Sequence, residues 1–141
     1  MQNSKLIRLL RTFSAREWKS FLDFAKSPYF NRNGEVTGLC EWLAAAAPGF
    51  DNADRRAAYA AIFPGLAYDE TRLNHLMSFA LKLGERFLAF EKLEDDGFTV
   101  DYHTLQSLAE RGLEKEYRFL FEKKHTVLWK EKRRDARFYL E

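Results

Sequence analysis

Residues Asp69 to Leu93, DETRLNHLMSFALKLGERFLAFEKL, constrain the fold of this chain more than any other stretch. Leu73, Met77, Ala80, Gly84, Phe87 and Leu88 recur at the i, i+3, i+4, i+7 spacing of an α-helix. Leu76, Phe79, Leu83 and Phe90 widen that stripe on one side and Leu81 on the other. The apolar arc covers roughly half the circumference, against about 100° for an ordinary surface helix. A helix this wide in apolar surface must meet neighbours on two sides. It predicts the central element of a multi-helix fold, about 37 Å long at 1.5 Å per residue. Asp69 is placed to cap it, after the breaker Pro64-Gly65. Gly84, on the buried stripe, predicts close approach by a crossing helix.

The rest of the composition supports helices. Leu occurs 19 times and Ala 16, whereas Val and Ile together occur 5 times, and no run alternates with the period of a strand. The fold class expected is all-α: an irregular bundle of about six helices around the long helix 69–93, with a long C-terminal helix. Residues 1–128 are read as a single helical domain, and 129–141 as a projecting basic end that continues into a missing region or meets a partner.

Local signals set the other helices. Lys5–Arg11 is a short apolar turn-and-a-half that must dock on a core to persist. Ser14 and Glu17 form an S-x-x-E capping box, with Phe13 and Trp18 in the positions of a hydrophobic staple, so a helix starts at Ala15. It ends at Lys26-Ser27 because Pro28 restricts the residue before it. Glu35–Ala47 and Ala53–Phe63 follow, each stopped by Pro-Gly; Asn33 is placed to cap the first, and Asp51 or Asn52 to begin the second. In the second, Ala57, Ala60 and Ala61 read as a smooth packing face. The last helix is expected from Tyr102, capped by Thr99 or Asp101, with Leu105, Leu108, Leu113, Tyr117 and Leu120 on its stripe and a kink or close contact at Gly112. No stop signal precedes Glu141. Either the chain continues beyond it or the tail pairs with another chain.

Chemistry-bearing motifs are absent. His75, His103 and His125 have no metal-site spacing, and Cys40 stands alone on an apolar helix face, where it reads as a small core residue. There is no phosphate-binding glycine loop and no nucleophile elbow. The expectation is therefore a protein that is not an enzyme and carries no cofactor or metal. MQNSKLIRLLRTF lacks the apolar core of a secretory leader, and no apolar run approaches the ~18 residues of a membrane span. A cytoplasmic protein with no membrane partner is expected.

Two places stand out as partner sites. The connector Ser27-Pro28-Tyr29-Phe30-Asn31 sets two adjacent aromatics in a turn; one or both act as a plug between helices, or they form a partner-facing knob. At the C-terminus, Phe138 and Tyr139 are the corresponding apolar candidates. Thirteen Phe and three Trp in 141 residues fit either large core plugs or a surface kept for a partner. The leading expectation is a helical protein–protein interaction or assembly module, with self-association as one form of partnership. The alternative is nucleic-acid binding. Between Lys123 and Arg137 there are seven basic residues against Glu131 and Asp135, and Lys123, Lys130, Arg134 and Arg137 share a helical face with Arg133 beside them. A solvated helix face has the same pattern. The overall charge of +2 argues against a whole-protein nucleic-acid footprint.

The order Leu9-Leu10, Ser14-x-x-Glu17, Ser27-Pro28-Tyr29-Phe30-Asn31, Phe63-Pro64-Gly65 and Tyr68-Asp69-Glu70 resembles a family of uncharacterised bacterial all-helical proteins with an SPYFN-type motif. The resemblance covers about Leu6 to Leu93. It implies a helical fold and a longer full-length protein, and it brings no activity, cofactor or catalytic residue.

Overall fold

The fold is all-helical, as the sequence predicts. The computed structural model describes residues 1–124, and among these there are helices and connectors but no strand. In chain order the helices are α1 (Lys5–Leu10), α2 (Ala15–Lys26), α3 (Gly34–Ala46), α4 (Arg55–Ile62), α5 (Glu70–Asp95) and α6 (Gly97–Glu110), then α7, described over residues 114–124. The contacts divide the chain into two compact units, 1–88 and 89–141, where a single domain over 1–128 was expected. The division falls inside α5.

Unit 1 is built around the first two-thirds of α5. Leu73, Leu76, Met77, Ala80, Leu83, Gly84 and Phe87 are its buried residues, which include the predicted stripe except the half-buried Leu88 and part of the predicted flank. Phe87 is the focus of the core. Its ring lies 5.6 Å from Phe13, 5.4 Å from Phe21 and 5.7 Å from Phe24, all tilted or edge-on, as aromatic quadrupoles prefer. The close approach expected at Gly84 comes from α1: a Cβ placed there would lie 2.9 Å from a methyl of Leu9. The short helix α1 is thereby held by burial of Leu6, Ile7 and Leu10 and by seating beside a glycine.

The start of α2 is formed as predicted. Ser14 accepts from the Glu17 N–H at 3.1 Å, the Glu17 carboxylate accepts from the Ser14 N–H at 3.0 Å, and the Phe13 and Trp18 rings of the staple meet at 5.5 Å. Helix α3 packs against both α2 and α4. Its cap is Asn33, which accepts from the Glu35 N–H at 3.0 Å.

The SPYFN corner between α2 and α3 is a hydrogen-bonded joint centred on Asn31. The Asn31 amide donates to the Ala25 carbonyl and to the Thr37 hydroxyl, both at 2.9 Å, and its side-chain oxygen accepts from the Asn33 N–H at 3.0 Å. One side chain thus ties the end of α2 to the first turn of α3. Asn31→Ala leaves these groups without their partner, and a net loss of about 1–3 kcal/mol in unfolding free energy is expected in urea titrations. Asn31→Asp, which keeps the acceptor but not the amide's donor bonds, should recover little of it.

The expectations for α4 and for the C-terminal helical region differ from the structure. Helix α4 is capped by Asp54, which accepts from the Ala57 N–H at 3.3 Å, and it buries Ala58 and Tyr59 while Ala57, Ala60 and Ala61 face out. With four alanines in eight residues the apolar pattern has too little contrast to choose a face. The long C-terminal helix is broken in two. Gly112 has φ +72°, Leu113 N–H donates to the Leu108 carbonyl at 3.0 Å, and Gly112 N–H donates to the Ala109 carbonyl at 3.1 Å. That is a Schellman stop, which uses glycine because the left-handed conformation has no Cβ penalty there. Finally, α6 begins at Gly97 rather than Tyr102, capped by Asp96, whose carboxylate accepts from the Thr99 N–H at 3.2 Å. Hydrogen bonds from Thr99 hold that carboxyl below its ordinary pKa.

In unit 2, Leu105 is the buried side chain among residues 89–124. Leu108, Tyr117 and Leu120 are half-buried, and Tyr102, Leu113 and Phe119 are exposed. The predicted stripe is present on both helices, but only Leu105 on it is fully covered among the described residues.

Candidate protein-interaction groove

On unit 1, residues 79, 82, 83 and 86 of α5 form one helical face at i, i+3, i+4 and i+7. Opposite them runs the α2–α3 connector, Phe30 to Asn33. Between the two lies an open groove of about 290 Å³, lined by Phe30, Arg32, Phe79, Lys82, Leu83 and Arg86 together with Asn31, Asn33 and Val36. Leu83 and Val36 form a buried apolar floor, whereas the Phe79 ring is 52% exposed.

The connector explains how the aromatic wall is held. Phe30 stacks on Phe24 of α2 with ring centroids 4.2 Å apart and planes 20° from parallel. The two readings of the aromatic pair therefore divide between its members. Phe30 folds back as a half-buried plug, and Tyr29, 86% exposed, stands outward with its ring edge-on to Phe30 at 5.1 Å. Asn31 fixes the corner beneath them.

The rim is cationic. The Arg86 guanidinium lies 5.9 Å from the Phe30 ring centre and the Lys82 ammonium 6.0 Å from the Phe79 ring centre, both at the outer reach of a cation–π contact. Arg32 donates from Nε to the Pro28 carbonyl at 3.1 Å, which points its side chain along the connector. Among the described residues no carboxylate pairs with Arg32, Lys82 or Arg86. The ion pairs elsewhere in the unit are Lys26–Glu41, Arg55–Glu70 and Arg72–Glu35. Arg72 also covers the Phe63 ring at 3.8 Å, so the other arginine of α5 within this unit is used internally.

Of the residues singled out in the sequence, Phe30 lines this groove, and Tyr29 stands beside Phe30 outside the lining. Lys123 is exposed on α7. Lys130, Arg133, Arg134, Arg137, Phe138 and Tyr139 lie outside the described residues, as does His125. Phe79, Lys82 and Arg86 were not singled out. The sequence places Phe79 on the flank of the apolar arc, although its i+3 and i+7 neighbours are both basic, and that mixed face is the available signal.

Other chemistry-bearing groups are dispersed. His75 and His103 are exposed, and among the described residues no three His, Cys, Asp or Glu side chains are grouped to hold a metal ion. Cys40 is fully buried on α3, as read from the sequence. Burial, with a smaller contribution from the Glu41 charge, pushes its thiol up to about 12. The folded thiol thus holds its proton where an unfolded one, near 9, has lost it. The native state then binds more protons than the unfolded state, so stability falls as pH rises from about 9 toward 12, by up to about 1.4 kcal/mol per unit. Urea midpoints measured over this range should fall more steeply for the wild type than for Cys40→Ala.

No helix among the described residues is long and apolar enough to cross a membrane. No family model, no curated protein and no solved structure matches this chain.

Proposed function

We propose that this chain is a cytoplasmic helical protein–protein interaction module without catalytic activity. One observation carries the reading: Phe30 and Phe79 line one groove on unit 1, Phe79 is more than half exposed, and the exposed Tyr29 stands edge-on to Phe30 beside it. Large aromatic side chains dominate burial energetics at interfaces, and aromatic residues and arginine are enriched there within a polar rim. The supports of the groove are rigid, since α5 is anchored by Phe87 and the connector by Asn31. A preformed surface of this kind binds without having to order itself first.

Site-specific photo-crosslinking tests the reading. A benzophenone side chain in place of Phe79 is expected to give a discrete adduct in the cells that make the protein. The same group at exposed Lys19, on α2, is expected to give none. Identical diffuse labelling from both positions would remove the groove as an interaction site.

A further inference from the structure

The charge around the groove identifies the kind of partner, on the reading that the groove is an interaction site. We propose that it takes a short acidic peptide segment of another protein, anchored by one aromatic or large aliphatic side chain. The apolar slot between Phe30, Phe79 and Leu83 is at the low end of ligand-pocket volumes, which suits one or two anchoring side chains rather than a whole folded surface or a drug-sized ligand. Lys82 and Arg86 stand one helical turn apart on one bank, and Arg32 stands on the other. An anchor seated in the slot therefore has cations on both sides of it, and the peptide residues flanking that anchor meet them. Carboxylates at those flanking positions gain charge-assisted hydrogen bonds, Arg86 and Arg32 being able to take them two at a time.

Two other occupants fit less well. The chain's own residues 125–141 carry five basic side chains against three acidic ones, so their charge opposes the rim. A single nucleic-acid strand needs a row of cations tracking its backbone and free ring faces for successive bases. Here the cations face each other across one slot, one face of Phe30 is taken by Phe24, and Phe79 alone of the rings lining the slot is more than half exposed.

The test is a titration of the isotopically labelled full chain, followed by amide NMR, with three nine-residue peptides. Each has a central Phe, flanked by Asp and Glu, by Ser, or by Lys and Arg. The acidic peptide should shift the resonances of residues 30–33 and 79–86 and bind at least about tenfold more tightly than the serine peptide, a difference of about 1.4 kcal/mol. Lys82→Glu/Arg86→Glu, both exposed positions, should keep the unfolding midpoint of the wild type, lose the acidic peptide and gain the basic one. Equal binding of all three peptides at these resonances overturns the acidic specificity while leaving the groove as an interaction site. Absence of binding by any of them overturns the proposal, as does displacement of the acidic peptide by an oligo-dT strand at the same resonances. So does a dimer that the double substitution dissociates, which would make a second copy the occupant.

Discussion

Phe87→Ala lowers the unfolding free energy of unit 1 by about 3–5 kcal/mol, the cost of removing a fully packed aromatic side chain and leaving a cavity. Phe87 is 1% exposed and touches three rings: Phe13 before α2, and Phe21 and Phe24 on α2. No neighbour can collapse into the space without giving up its own edge-on contacts. Small domains are stable by about 5–15 kcal/mol, so this one change removes at least about a fifth of the total. Guanidinium unfolding followed by Trp fluorescence reads it directly, since Trp18 lies against Phe13 and Phe21 in the same cluster. Phe87→Leu, which keeps most of the volume, should retain more than half of the lost stability.

Phe50 gives the second large effect, with an unusual ordering. It is a turn residue between α3 and α4, yet its side chain is fully buried and its ring lies 6.3 Å from that of Trp18. Its φ is +58°, a left-handed conformation that costs a non-glycine residue about 1–3 kcal/mol. Hydrogen bonds hold it there: Phe50 N–H donates to the Ala46 carbonyl at 3.0 Å, and its own carbonyl accepts from Ala53 N–H at 3.0 Å and from the Gln2 side chain. Phe50→Ala should cost about 3–5 kcal/mol, because it keeps the strained φ and loses the ring. Phe50→Gly loses the same ring but relieves the backbone. It should therefore be no less stable than Phe50→Ala, the reverse of the usual order in a helix. Paired urea titrations decide it. An alanine variant clearly more stable than the glycine variant would show that the turn is unstrained.

How far the sequence spoke for itself depended on whether the deciding contacts were local. The capping box of Ser14 and Glu17, the Phe13–Trp18 staple and the Asn33 cap are interactions within four or five residues, and each is found where its spacing puts it. The central helix was legible because its apolar arc is wide and long, and Gly84 on that arc correctly marked a close approach. Phe50 was not legible. It belongs to no periodic element, and its burial comes from residues over thirty positions away, on α2 and at the N-terminus. The face of α4 could not be read from a run of alanines. The stop at Gly112 was visible as a glycine, but kink and termination look alike until the Leu113 and Gly112 N–H partners are known.

The groove was half legible. Two aromatics in a turn announced themselves, but which ring plugs and which stands out is decided by Phe24, six residues before Phe30 and five before Tyr29. Phe79 misled for a physical reason. A helix position can lie on the geometric edge of an apolar arc and still have no neighbour over it, and only packing distinguishes the two cases. Lys82 and Arg86 share its face, with Leu83 the buried apolar member, and that mixture marks a rim.

Helix α5 uses one face to hold unit 1 together, and on the proposed reading it keeps the adjacent face, bearing Phe79, open for a partner. The most direct measurement is the unfolding free energy of Phe79→Ser beside the wild type. An open face predicts a loss of about 1 kcal/mol or less, as for substitutions outside the core. A loss of 3–5 kcal/mol, the size expected for Phe87→Ala, would show that Phe79 belongs to the protein's own core and would contradict the account.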